Sequence, residues 1–152
     1  MQSMAFVFIA LVLLALAWPL VAAGAAVLVV LAALALRGDQ VMRDRSGALT
    51  RAGWLLTVAA ALTGIAAYGH GLAATTFGLI TDADDRCALR RPEGYDYRHG
   101  GPAGGSHSMW PLHDTTCGPD LVPGFVNPLV AGSAVLFLAL AVIMTVVKIK
   151  QR

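Results

Sequence analysis

From Met4 to Leu36 the chain runs for about 33 residues without a charged side chain. That stretch decides the solvent in which the protein folds. As a helix rising about 1.5 Å per residue it is about 50 Å long, against a hydrocarbon core of about 30 Å. Two further apolar blocks follow, Ala52 to about Ile80 and Asn127 to about Val147. Hydrophobic residues make up 57% of the chain and charged residues 13%, where a soluble domain carries about 45–50% and about 25%. The apolar residues sit in blocks, and the charges collect in two loops and the C-terminal tail. This is the pattern of a polytopic membrane protein. It excludes a soluble enzyme, a nucleic-acid binder and a disordered segment. The net charge of +2 is too small to select a polyanion, so the first expected partner is the lipid bilayer and no nucleic acid is expected.

The first block is too long for one upright span. A hairpin of two short helices turning near Trp18-Pro19 and Gly24 is the preferred reading, each arm holding about 15 residues over roughly 22 Å, with local thinning of the bilayer. One helix kinked at Pro19 is the alternative, because membrane helices tolerate proline. A cleaved secretory signal is rejected: Ala15-Leu16-Ala17 resembles a cleavage site, but no Lys or Arg precedes the apolar run. The expected fold class is all-α, a single integral membrane domain over 1–152 built as a bundle of four transmembrane helices (three if 4–36 span once). The spans fall at about 4–18, 21–36, 52–75 and 128–147. Asn127-Pro128 suits a helix start, Asn capping free N–H groups and Pro fitting the first helical position.

Charge sets the orientation. The loop 37–51 carries four arginines against Asp39 and Asp44, and the tail carries Lys148, Lys150 and Arg152. Positive charge at span ends marks the cytoplasmic side, so both are expected inside, in the plasma membrane. Two spans separate them, which puts the loop 81–125 outside. That loop is rich in Gly and Pro and holds seven of the nine acidic residues; it also holds Arg86, Arg90, Arg91 and Arg98, but it is long enough to escape the rule.

In the second block Gly53, Thr57, Ala60, Gly64, Ala67, Gly71, Ala74 and Gly78 recur at alternating spacings of four and three. On a helix this is one stripe of small residues, which lets backbones approach closely in lipid. It is a packing face for the chain's own helices or for a partner subunit. His70, beside Tyr68, reads as an interfacial polar residue rather than a proton relay. No Asp, Glu, Lys or Arg lies inside an apolar block, which counts against pumps and ion-coupled transporters.

Cys87 and Cys117 are the only cysteines, and both fall in the outer loop. An even pair on the oxidising side reads as a disulfide, closing a Gly-rich loop with a chain-entropy gain of roughly 3–4 kcal/mol. A redox-active pair is the rival reading, but it calls for a Cys-x-x-Cys or a second pair. Thr81 to Arg91 before Pro92 reads as a short helix with acids first and arginines last. Tyr95, Tyr97 and Trp110 are expected in a small core around the disulfide. His99, His107 and His113 are weak candidates for a metal, since their spacing matches no ligand motif; no metal and no cofactor are expected. Ser106, Ser108, His113 and Asp114 lack the surroundings of a hydrolase nucleophile, so no catalytic residue is assigned.

Trp110-Pro-Leu-His-Asp-Thr-Thr-Cys117, followed by Asp120-Leu-Val-Pro-Gly-Phe-Val-Asn-Pro128, resembles a set of small polytopic proteins of high-GC actinobacteria. They share a two-cysteine outer loop and a Leu-Val-Pro-x-aromatic-Val-Asn-Pro lead-in to the last helix. The resemblance covers roughly the last third of the chain. It implies a topology and a disulfide, and no activity. The expected function is that of a non-enzymatic accessory subunit or interaction partner of a larger membrane complex. A small homo-oligomeric channel, transporter or immunity-type protein is the alternative, and a thiol oxidoreductase the second.

Overall fold

A computed structural model describes residues 2–37, 45–75, 87 and 106–150. These form three α-helices, α1 (Gln2–Arg37), α2 (Arg45–Ala74) and α3 (Val126–Lys150). Between α2 and α3 lies an antiparallel hairpin of β1 (His107–Met109) and β2 (Leu112–Asp114). Each helix contains a stretch long and apolar enough to cross a membrane: Phe6–Arg37, Ser46–Ala74 and Val126–Lys150. The fold is all-α in its membrane part, with the three-helix count and not the four-helix one among the described residues.

The first block accounts for the difference. Residues 2–37 are one helix with Pro19 inside it, and the expected hairpin at 18–24 does not form. A turn there would open several backbone N–H and C=O groups, each costing several kcal/mol in lipid, whereas a proline within a helix removes one hydrogen bond. No Asn, Asp or Ser near Trp18–Gly24 offers a side chain to satisfy a turn. The helix is continuous because no side chain near Pro19 or Gly24 would satisfy the backbone groups that a turn opens.

Helix α2 starts at Arg45, inside the loop expected over 37–51, and its 30 residues make about 45 Å. It ends by hydrogen bonding: Thr75 N donates to Gly71 O (3.2 Å) and Leu72 O (3.1 Å), and Thr75 Oγ1 donates to Leu72 O (2.8 Å). Gly78 of the stripe, the loop residues Tyr95, Tyr97 and His99, and the short helix expected over 81–91 apart from Cys87 lie outside the described residues.

The chain divides into two compact units, one of residues 1–18 and 67–128, the other of 19–66 and 129–152. In the second, the helices meet through small side chains. Ala25 and Ala32 of α1 and Ala52, Ala59 and Ala60 of α2 are buried, and Gly24 lies against Leu62. Gly53 faces the Met144 thioether, and a β-carbon on Gly64 would stand 3.2 Å from Ser133 Cβ. Thr57 and Thr63 return their hydroxyls to the helix backbone at Gly53 O and Ala59 O, both at 2.8 Å, so neither brings an unsatisfied polar group into lipid.

Candidate functional site

The other unit holds the ordered polar part of the chain. β1 and β2 are joined by Trp110-Pro111, whose peptide bond is cis, with His107 opposite Asp114, Ser108 opposite His113 and Met109 opposite Leu112. A three-residue ladder is too short to stand alone in water. Three side chains from outside the strands hold it.

Asn127, in the first turn of α3, accepts from Leu112 N (2.8 Å) and donates to Leu112 O (2.9 Å). Its amide acts as a short third strand and does not cap its own helix, as the sequence suggested; α3 starts instead with Val126 N donating to Pro123 O (3.0 Å). Tyr68 of α2 donates its hydroxyl to Met109 O (3.0 Å). Asp120 accepts from Asp114 N (3.1 Å) and Val122 N (3.0 Å) on one oxygen, and its other oxygen lies 3.0 Å from His113 Nδ1. Partial burial pushes the Asp120 carboxyl up, but the two N–H donors and the adjacent imidazole outweigh it, so its pKa lies below the ordinary carboxylate value.

Under this polar layer is a small core. The Cys87–Cys117 disulfide (Cα–Cα 5.4 Å) has both residues fully buried, alongside Leu112, Val122 and Val126. Buried Asp114 accepts from Thr116 N (3.1 Å) and Thr116 Oγ1 (2.6 Å). Gly71 is where α2 receives this cap: a β-carbon there would collide with Leu112 and come within 2.8 Å of Val126 Cγ1. Trp110 is not part of the core, contrary to expectation. It sits at the hairpin turn, 57% exposed.

Of the described stripe glycines on α2, Gly53 and Gly64 are occupied by α3 and Gly71 by the hairpin and Val126; Ala60 and Ala67 are buried. Gly69, which lies off the stripe, takes α1, with Leu14 O 2.7 Å and Trp18 Cβ 3.0 Å from a β-carbon placed there. Next to it the His70 ring lies edge-on to Trp18 (centroids 4.5 Å) and stacks on Phe125 (5.7 Å). This makes His70 part of an aromatic cluster, a role its sequence neighbours did not reveal.

Of the metal candidates, His107 and His113 belong to opposite strands and are not register partners, and among the described residues no three His, Cys, Asp or Glu side chains converge. The hydrolase candidates are not assembled either. The Ser108 hydroxyl donates to Pro111 O, and His113 pairs with Asp120 and not with Asp114. The polar groups of the cap are directed at its own backbone, an arrangement that orders a surface. No protein-family model, no curated protein and no solved structure matches the chain, so its function is read from these residues alone.

Proposed function

We propose that this protein is a non-enzymatic accessory subunit or interaction partner of a larger membrane complex. It lies in the plasma membrane with residues 37–51 and the C-terminal tail inside and the disulfide-tied loop 81–125 outside. The observation that carries this reading is the contrast in how polar and apolar groups are used. In the described part of the cap, Asn127, Asp120 and Tyr68 fasten backbone to backbone. On the helices, by contrast, only 6% of the most apolar window of α1 and 11% of that of α3 are buried, against 39% for α2. A chain that spends its chemistry on holding a rigid water-side surface, and leaves two long apolar faces for lipid or other helices, is built to be held beside something. The α2 glycines Gly53, Gly64 and Gly71 face the chain's own residues and are not part of the surface left for a partner. The buried sulfurs of Cys87 and Cys117 support a structural bridge over thiol exchange, which needs an accessible sulfur.

The test is isolation of the tagged protein in native nanodiscs with mass spectrometry of what stays bound. A larger membrane protein at fixed stoichiometry is the expected result. A homo-oligomer without a companion overturns the reading and puts the channel or transporter alternative first.

A further inference from the structure

Within the unit of residues 19–66 and 129–152, the N-terminal part of α2 and the last turns of α3 enclose an open groove of about 320 Å³, lined by Trp54, Thr145, Lys148 and Ile149. Among the described residues neither the Lys148 ammonium nor the Trp54 indole N–H has a hydrogen-bonding or ionic partner. Thr145 uses its hydroxyl proton on Ala141 O (2.7 Å), so the groove offers two donors, one of them cationic. Ile149 and the indole ring supply an apolar wall. A lysine on a helix leans toward the helix N-terminus, which carries Lys148 back toward Thr145. Arg51 is exposed one turn before Trp54 on α2.

We infer that this groove binds the phosphodiester headgroup of an anionic phospholipid, with Lys148 and Trp54 Nε1–H as donors to the phosphate and Ile149 and the indole ring against the glycerol and upper acyl carbons. Charge complementarity selects this occupant. The segments that flank the groove in sequence, 37–51 and 148–152, carry seven Lys and Arg against Asp39 and Asp44. Basic pockets between membrane helices are suited to anionic headgroups, and Trp is at home at that depth. The inference needs only that α2 and α3 span the bilayer; it is independent of the accessory-subunit reading.

The experiment places the full chain in nanodiscs containing equal phosphatidylglycerol and phosphatidylcholine, then counts retained lipids by native mass spectrometry. Wild type is expected to keep phosphatidylglycerol preferentially. Lys148→Gln should lower that retention about fivefold, Trp54→Phe should lower it less, and Lys148→Arg should keep it. Equal retention of the two lipids by wild type, or unchanged retention in Lys148→Gln with helicity intact by circular dichroism, overturns the proposal. Excess soluble glycerol phosphate should leave the bound lipid in place; if it releases the lipid, the groove is a site for free phosphate and not for a headgroup.

Discussion

The cap over residues 106–127 and the helix contacts over 19–66 and 129–150 solve the same problem in opposite ways. In the cap, a three-residue ladder is secured by side-chain amide, carboxylate and phenol groups and one covalent bridge. Between the helices, among the described residues, there are no such groups; Ala and Gly let backbones close on Met144 and Ser133, and threonines turn their hydroxyls onto their own helix. The difference follows from solvent. Beside water, apolar burial and a cross-link against chain entropy do the work, and a short loop has little area to bury. In lipid, close packing replaces the hydrophobic drive and every polar group must be satisfied locally.

The sharpest way to break this comparison is to remove the bridge. Cys87→Ser with Cys117→Ser should destabilise the cap by about 3–4 kcal/mol and leave the helices folded. Limited proteolysis should then cut within residues 88–125 while circular dichroism in detergent barely changes. Loss of helicity along with the cap would mean that the two regions are not separate in stability. Preservation of the fold with loss of a thiol-exchange activity would revive the oxidoreductase alternative.

Next in size is the junction at Gly71, where a larger side chain meets Leu112 and Val126. Gly71→Val should cost about 1–3 kcal/mol through overpacking, read as a lower midpoint of thermal unfolding. Gly132→Val is the control, because nothing lies within 4 Å of a β-carbon there; its midpoint should stay near wild type. Equal effects at the two sites would show that helix propensity and not contact sets the cost. Asn127→Ala, which strands both polar groups of Leu112, should cost about 1–3 kcal/mol. Faster amide hydrogen exchange at Leu112 is the specific readout.

These three sites differ in how far the sequence reveals them. The apolar blocks and the cysteine pair were legible because block charge and cysteine parity are properties of the chain in one dimension. The unbroken helix across 18–24 is not legible from length against bilayer thickness, because the cost of an opened backbone in lipid decides it. Asn127 looked like a cap, a local role, whereas its partner Leu112 lies fifteen residues upstream. The Asp114 and Asp120 turns, each accepting from the N–H two residues on, carry a local signature that could have been found. The cluster of Trp18, His70 and Phe125 could not, since it joins three distant positions through packing alone.

The smallest expected effect tests whether the cap's polar layer responds to its solvent as the helix contacts do not. Asp120 has a carboxyl pKa below the ordinary value. A group lowered on folding contributes stability that is present above the unfolded value of about 4 and is lost as pH falls through the folded one. Wild-type cap should therefore weaken only in acid, below about pH 4, while Asp120→Asn should show its deficit at neutral pH and converge with wild type as acid protonates the native carboxylate. Since His113 and Asp120 are 40% and 42% exposed, the ionic part is screened and amounts to a few tenths of a kcal/mol. The measurement is amide exchange at Asp114 and Val122, whose N–H groups Asp120 receives, followed from pH 7 to 3. An equal acid response in Asp120→Asn would assign the weakening to another carboxylate, with Asp114 the first to examine. A response that also reached the Gly53–Met144 contact would deny the division between a layer held by polar groups and one held by small residues, because no described side chain in that helix layer titrates as acid.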